Sequence, residues 1–211
     1  MQSRIAHLLL DKQAVKIQTN PPFSWTSGIQ SPIYCDNRAM VSFPDARNDI
    51  VEAFLQVIKD ENIECDMIAG VATGAIAWGM LVADRLGKPF CYVRPEPRNH
   101  GTGKQVEGFV EKGQKILVIE DLFSTAGSSV KAVEALRKEV DADVVGIIAI
   151  STYQLEKARA RLEEADVRWW TLTNFSALVA ELDLPDEQKQ LIGEFSKDPA
   201  SWWESYQSQI K

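Results

Sequence analysis

Residues 116–129, Ile-Leu-Val-Ile-Glu-Asp-Leu-Phe-Ser-Thr-Ala-Gly-Ser-Ser, decide the fold of this chain. The four apolar residues at 116–119 predict a buried strand, and the carboxylates of Glu120 and Asp121 mark its end. A loop of small hydroxylated residues then leads into a helix that carries residues 130–136. Ligands of open α/β sheets collect at the carboxyl ends of strands, and N–H groups at a helix N-terminus bind phosphate. The stretch therefore predicts a sugar-phosphate site, in which the carboxylates face sugar hydroxyls or a water-bound Mg²⁺. The alternative is an acid pair that ends a strand, followed by an ordinary helix cap.

Apolar runs alternate with helical patterns on both sides of this stretch, from about residue 45 onward. Uninterrupted apolar strands that alternate with helices predict an α/β fold with a mostly parallel sheet covered on both faces. Strands are expected at 67–71, 90–93, 116–119, 144–150 and 168–172, and helices from residue 44, at 76–86, around 130–136 and at 154–165. Three regions are expected: an N-terminal helix and hood at 1–40, an α/β core at 41–184, and a C-terminal helical tail packed on the core at 185–211.

Composition narrows the classes of function. A net charge of −7 over 211 residues argues against a general nucleic-acid-binding protein, which is normally basic. No apolar stretch approaches the roughly 18 residues that a membrane span needs, and Asp11 and Lys12 end the short apolar patch near the N-terminus, so we expect an amphipathic helix there and no signal peptide. The widely spaced Cys35, Cys65 and Cys91 fit neither a disulfide framework nor a zinc site. A reduced, cytoplasmic setting is expected.

A polar stretch at 92–104 concentrates cations in an otherwise acidic chain. Arg94, Arg98, His100 and Lys104 lie among glycines that permit movement. A mobile cationic loop suits a reaction in which pyrophosphate leaves, because it can close over the developing charge and then reopen. A solvated surface loop is the alternative. A third stretch, Ala-Gly-Val-Ala-Thr-Gly-Ala-Ile at 69–76, offers either backbone N–H groups for pyrophosphate or close helix–strand packing.

Residues 22–38, PFSWTSGIQSPIYCDNR, complete a pattern that resembles the orotate phosphoribosyltransferases over most of the chain. The acid pair and hydroxylated loop are similar to the ribose-phosphate motif of all type I phosphoribosyltransferases, whereas residues 22–38 are similar to the hood of the orotate-specific family. The resemblance implies a type I phosphoribosyltransferase fold with a small N-terminal hood. It also implies Mg²⁺-dependent transfer of the phosphoribosyl group from 5-phosphoribosyl 1-pyrophosphate to orotate, which gives orotidine 5′-monophosphate and pyrophosphate in UMP biosynthesis.

The resemblance also assigns roles to residues of this chain. It implies a homodimer in which Arg98 and His100 act in the neighbouring subunit's site, with Arg98, His100 and Asp121 as the catalytic residues. Glu120 and Asp121 would hold the ribose hydroxyls, Arg94 would join Arg98 and His100 on the pyrophosphate, and Mg²⁺ would be held mainly through substrate and water. The residues expected around the 5′-phosphate are Leu122, Phe123, Ser124, Thr125, Ala126, Gly127 and Ser128, of which Ser124 would also touch orotate.

The chain departs from the family pattern at several positions. Thr26 and Pro95 stand where many members carry Lys, and Ala126 stands where Gly is common. No Arg occurs at 152–153, where some members place one on the orotate carboxylate, so the residue that binds this carboxylate is open. Two other functions are also open. One is transfer to a different base, against which the hood argues, and the other is a non-catalytic sensor of the phosphoribosyl donor.

Overall fold

A computed structural model describes residues 1–18, 20–25, 28–97 and 103–209 of the chain. The strands are β1 (Val15–Ile17), β2 (Phe23–Ser24), β3 (Gln30–Ser31), β4 (Ile33–Cys35), β5 (Met67–Val71), β6 (Phe90–Val93), β7 (Val106–Glu107), β8 (Lys115–Phe123), β9 (Asp143–Thr152) and β10 (Trp169–Thr171). The helices are α1 (Gln2–Asp11), α2 (Pro44–Asp60), α3 (Ile76–Leu86), α4 (Gly127–Val140), α5 (Glu156–Glu164), α6 (Phe175–Ala180), α7 (Asp186–Glu194) and α8 (Pro199–Gln209), and a 3₁₀ helix spans Asn37–Ser42.

Six strands form the central sheet in the order β10-β9-β8-β5-β6-β7. All neighbouring strands pair in parallel except β7, which runs antiparallel to β6 at the edge. Helices cover both faces: Phe54 of α2 and Trp78 of α3 belong to one buried cluster, and Leu136 of α4 and Leu162 of α5 belong to the other. The predicted α/β fold, a mostly parallel sheet flanked by helices, is confirmed.

Strand β8 explains why the central strands read as unbroken apolar runs. Leu117 and Ile119 belong to the first cluster, whereas Ile116 and Val118 belong to the second, and all four are fully buried. Successive side chains of a strand point to opposite faces of a sheet, so a strand buried on both faces needs an apolar residue at every position.

The structure corrects several element boundaries. Strand β8 does not end at residue 119 but continues to Phe123, because its pairing with β9 extends to Phe123 opposite Thr152. The acid pair therefore lies within the strand. A strand that was not expected, β7, follows the cationic stretch and pairs antiparallel with β6. Helix α3 and strands β5 and β6 have the predicted bounds, whereas α5 begins two residues later than predicted, at Glu156.

The four N-terminal strands form small antiparallel pairs outside the central sheet. Strand β1 pairs with β4, and β2 with β3 as a hairpin. Trp25, after β2, stacks on Tyr153 at a ring-centroid distance of 4.4 Å and meets Phe195, before α8, edge-on at 5.6 Å. The C-terminal segment between α7 and α8 thus packs against the hood hairpin. Within the ranges given above, every helix is too short or too polar to cross a bilayer.

Candidate active site

A cavity of about 620 Å³ opens at the carboxyl ends of β5 and β8, between the sheet and the hood. Its position agrees with the prediction of a site at the carboxyl ends of the strands. Three segments form its walls: the turn after β5, the end of β8 with the loop that follows, and the hood together with the end of β9. The lining residues are Trp25, Tyr34, Cys35, Arg38, Val71, Ala72, Thr73, Gly74, Glu120, Asp121, Leu122, Ser124, Thr125, Ser128 and Tyr153.

The two carboxylates of the acid pair differ in depth. Glu120 is 3% exposed, and its carboxylate accepts hydrogen bonds from the Ser129 hydroxyl at 2.8 Å and from the Asp121 backbone N–H at 3.0 Å. Burial, and then the neighbouring Asp121 charge, raise the pKa of Glu120 well above its usual range. Asp121 is only half-buried. Both carboxylates line the cavity; Glu120 is bound to the start of α4, and Asp121 is the more accessible of the two.

Gly74, in the turn after β5, lies directly beside the Asp121 carboxylate. A Cβ atom at this position would overlap the Asp121 carboxyl group. Glycine thus lets the turn after β5 and the end of β8 approach each other across the cavity. The peptide bond between Ala72 and Thr73, in the same turn, is cis.

The loop after β8 leads into α4 through an unusual backbone conformation. Ala126 adopts φ 55° and ψ 17°, a left-handed conformation that costs an L-residue about 1–2 kcal/mol relative to its usual ones. This explains why glycine is common at this position in the family that the sequence resembles.

Among the described residues no side chain caps the N-terminus of α4, so its N–H groups are available to an anion. Ser124, Thr125 and Ser128 line the cavity, whereas the Phe123 ring is buried edge-on against Trp169 at 6.0 Å.

Arg161 of α5 supports this loop from outside the cavity, a contact that was not predicted from the sequence. Its Nη1 donates to the Thr125 carbonyl at 3.0 Å and to the Thr125 hydroxyl at 3.1 Å. A Cβ atom on Gly127 would stand 3.1 Å from the same nitrogen, so glycine gives the guanidinium room. No sequence motif marks this contact, because the partners are 36 positions apart on different elements.

Asn37 joins the hood to the acid pair. Its side-chain amide donates to the Asp121 carbonyl at 2.6 Å and to the Ser151 hydroxyl at 2.9 Å, and its carbonyl oxygen accepts from the Cys35 thiol at 3.1 Å. Burial raises the pKa of Cys35 to about 12, so the thiol is a neutral donor. The Cys35 backbone N–H in turn donates to the Tyr153 hydroxyl at 2.8 Å. In the sequence, Asn37 stands out only as part of the hood pattern.

Of the three predicted pyrophosphate residues, the structure describes Arg94. Arg94 lines a smaller cavity of about 280 Å³ that shares Val71, Ala72 and Ser128 with the main cavity, and its guanidinium pairs with Glu107 at 3.4 Å. Arg98 and His100 lie outside the described residues, as does Thr26 of the hood.

A larger cavity, of about 700 Å³, lies on the other side of the hood hairpin, against the start of α8. Its wall is mostly apolar, and of the predicted site residues that the structure describes, none lines it. Because size alone does not define a site, the smaller cavity with the acid pair is the candidate active site.

Comparison with known proteins agrees with this geometry. Residues 43–180 match the model of the phosphoribosyl transferase domain. An orotate phosphoribosyltransferase of Lactococcus lactis subsp. cremoris is 46% identical over 202 residues, which cover 94% of this chain and 96% of that protein. The chain belongs to the orotate phosphoribosyltransferase family. The resemblance seen in the sequence is therefore confirmed.

Solved structures support the same fold for this member of the orotate phosphoribosyltransferase family. The crystal structure of the orotate phosphoribosyltransferase from Aeropyrum pernix superimposes with a TM-score of 0.74 at 28% identity and covers 84% of this chain and 97% of that chain. The Mycobacterium tuberculosis enzyme, in a complex with 5-phospho-α-D-ribosyl 1-diphosphate, gives a TM-score of 0.63 at 21% identity over 83% of this chain and 97% of that chain, which shows the shared fold. The type I phosphoribosyltransferase fold is confirmed, and the roles of the individual site residues stay predictions.

Proposed function

We propose that this chain transfers the phosphoribosyl group of 5-phosphoribosyl 1-pyrophosphate to orotate, giving orotidine 5′-monophosphate and pyrophosphate for pyrimidine synthesis. Family membership at 46% identity over nearly the whole chain supports this reaction. The observation in the structure that carries it is the joining of three parts in one cavity: an acid pair, a hydroxylated loop at a helix N-terminus, and an aromatic hood. Ribose hydroxyls, a phosphate and a flat base are the groups that these parts bind well.

The donor would lie along the wall formed by β8. Backbone N–H groups of the loop at 122–128 would bind the 5′-phosphate, and the hydroxyls of Ser124, Thr125 and Ser128 would add donors. Asp121, at the cavity surface, would accept hydrogen bonds from the ribose hydroxyls. Glu120, whose oxygens already bind Ser129 and the Asp121 N–H, would hold this arrangement rigid.

Bond breaking would proceed through an oxocarbenium-like ribosyl centre. The Asp121 carboxylate, fixed by the Asn37 bond to its own carbonyl, would stabilise the positive charge on the sugar. Pyrophosphate would leave on the side of the turn at 71–74, and a ring nitrogen of orotate would attack from the opposite face. Nothing in this scheme needs a covalent nucleophile, since positioning and charge stabilisation supply the rate.

We propose Mg²⁺ as the cofactor. In the described part of the chain no three His, Cys, Asp or Glu side chains converge as a ligand set, so the ion would be held by substrate oxygens and water, with Asp121 as the protein carboxylate facing it. When bound, the ion neutralises charge on the pyrophosphate.

We further propose a homodimer in which Arg98 and His100 of one subunit neutralise pyrophosphate in the partner's cavity. Subunit mixing tests this directly. Arg98→Ala and Asp121→Asn homodimers should each be nearly inactive. Mixed dimers should regain up to roughly a quarter of wild-type activity, because half of a statistical mixture is heterodimer and each heterodimer assembles one intact site. No recovery on mixing would show that the loop acts within its own subunit.

The reaction itself is tested by absorbance, with purified protein, Mg²⁺ and the donor. Loss of orotate absorbance, with uracil, hypoxanthine and adenine inert, is the expected result. Donor binding without turnover of any base would overturn the proposal in favour of a sensor of the donor. The three free, buried cysteines support a reducing, cytoplasmic setting as the place of this activity.

A further inference from the structure

Recognition of the base substrate needs a positive charge in the cavity. Orotate carries a ring carboxylate that uracil lacks, and burying this anion without a partner costs several kcal/mol. Among the described residues that line the cavity, Arg38 is the only Lys, Arg or His. Thr152 and Tyr153, where some family members place an arginine, carry no charge. In this chain the positive charge for the orotate carboxylate therefore has to come from a position other than 152–153, and Arg38 is the candidate.

The Arg38 guanidinium is held in a fixed orientation at the hood end of the cavity. Its Nε donates to the Asp36 carboxylate at 2.6 Å, and its Nη2 donates to the Tyr34 hydroxyl at 3.3 Å. Nη1 makes no hydrogen bond to any residue that the structure describes. The side chain is 58% exposed, so a ligand can reach this free edge. A guanidinium with one edge anchored and another free is preorganised for a carboxylate.

Position along the cavity separates the base end from the pyrophosphate end. Arg38 stands with Tyr34, and with Trp25 stacked on Tyr153, on the aromatic wall that suits a flat ring. Asp121 lines the same cavity. A base joined to a ribose at Asp121 would therefore extend toward Arg38, whereas pyrophosphate would face the turn at 71–74 and the neighbouring cavity with Arg94.

We propose that Arg38 binds the carboxylate of the base and so selects a carboxylated pyrimidine over uracil. This inference deepens the proposed function and rests on it for the identity of the base. Asp36 is a positioning residue, because its bond to Nε aims the guanidinium into the cavity. Its carboxylate leaves the Arg38 charge only partly neutralised, since the pair is exposed to water.

Product binding provides a test that does not depend on turnover. Orotidine and uridine 5′-monophosphates differ only in the carboxylate, and calorimetry gives the affinity of each. Wild-type protein should bind the orotidine nucleotide at least about tenfold more tightly, as expected for a charge-assisted hydrogen bond. In Arg38→Ala this preference should fall to about one, with the affinity for the uridine nucleotide changed less than about twofold. Arg38→Lys should keep part of the preference, because a point charge replaces the planar fork.

Steady-state kinetics supplies the second readout. Arg38→Ala should raise the KM for orotate about tenfold or more and leave the KM for the donor nearly unchanged. Arg4→Ala is the matched control, since Arg4 is also exposed, lies outside the cavity, and within the described residues makes only a 3.8 Å ion pair with Asp49 of α2.

These measurements distinguish failure of the role proposed for Arg38 from failure of the proposed reaction. A nucleotide preference that survives in Arg38→Ala, or a KM increase confined to the donor, would overturn the role of Arg38. Wild-type protein that turns over no orotate, yet shows an Arg38-dependent nucleotide preference, would overturn the proposed reaction and leave the role of Arg38 standing.

Discussion

The two long walls of the cavity are built in different ways. In the core wall, from Glu120 to Ser129, the acid pair is held by short-range contacts, such as the bond from Ser129 to Glu120 nine positions away, and Arg161 of α5 adds a longer-range contact to Thr125. The hood wall depends on contacts between distant residues: Asn37 with Asp121 and Cys35 with Tyr153 are 84 and 118 positions apart. One wall is thus a local motif mounted on a strand, and the other exists only once the chain has folded. Damage to the hood wall should therefore cost stability together with activity, whereas damage to the core wall should mainly cost activity.

Among the variants that remove only hydrogen bonds, Asn37→Ala should give the largest loss of stability. It removes both donors from the Asp121 carbonyl and the Ser151 hydroxyl, and each buried acceptor left unsatisfied costs about 1–3 kcal/mol. We expect the free energy of unfolding in urea to fall by about 3 kcal/mol, with a loss of turnover at saturating donor. Asn48→Ala, on α2, is the matched control: it removes a solvent-exposed hydrogen bond from Arg85 and should change stability by less than about 0.5 kcal/mol. A variant as stable as wild type would show that the hood wall is not held through Asn37.

Arg161→Ala probes the support of the core wall. The loop at Thr125 would lose two hydrogen bonds from a charged donor, so the proposed phosphate site should loosen. We expect the KM for the donor to rise about tenfold or more, with a smaller change in the KM for orotate. Arg159→Ala should behave as wild type, because Arg159 is exposed on the same helix and, in the part of the chain that the structure describes, pairs only with Glu156 and Glu163. Equal changes in both KM values would argue against a specific role at the phosphate.

Glu120→Gln should change the free energy of unfolding in a pH-dependent way, because Glu120 is a buried carboxyl of the core wall. Burial and the Asp121 charge raise the pKa of Glu120 in the folded state. The protonated carboxyl therefore contributes fully to the stability of the fold below the ordinary glutamate pKa, and this contribution is lost as pH rises through the folded pKa. Glutamine carries no charge at any pH. The variant should therefore gain stability relative to wild type at pH 7–8, where the buried carboxyl of Glu120 would otherwise have to ionise or stay protonated above its ordinary pKa. This gain should shrink toward pH 4.

Denaturant unfolding of the Glu120→Gln and wild-type proteins at several pH values measures this difference, and Glu134→Gln, at an exposed position on α4, is the control. A gain that is constant with pH would mean that the ionisation of Glu120 is not its cause.

Tyr153→Phe should have the smallest effect. It removes the acceptor of the Cys35 N–H but keeps the ring that stacks on Trp25. The expected cost in unfolding free energy is about 1 kcal/mol, the usual value for one hydrogen bond. Tyr153→Ala should cost several times more, since the stack and the buried ring are lost as well. Similar costs for both variants would show that the hydroxyl, and not the stack, holds the hood.

Much of the core wall was predictable because its residues are neighbours in sequence. The apolar run at 116–119, the acid pair and the small residues after it each carry a local preference, and the bounds of α3, from Ile76 to Leu86, followed from helical spacing and the Gly87 stop. The end of β8 was not predictable in this way, since its last residues are held by pairing with β9. Strand pairing depends on which segments meet, and the local pattern does not encode that choice.

The sequence by itself determined the fold class, the family, and the set of residues from which a phosphoribosyl site can be built. The tertiary structure alone decided which of those residues are buried, which line the cavity, and which contacts each of them makes. It buried Glu120 and left Asp121 at the surface, turned Phe123 into the core, placed Arg161 behind the phosphate loop, and set Asn37 against the Asp121 carbonyl. The physical reason is the same in each case. Burial, hydrogen-bond partners and pKa are properties of a surrounding that distant segments create together, whereas strand and helix preferences belong to the residues themselves.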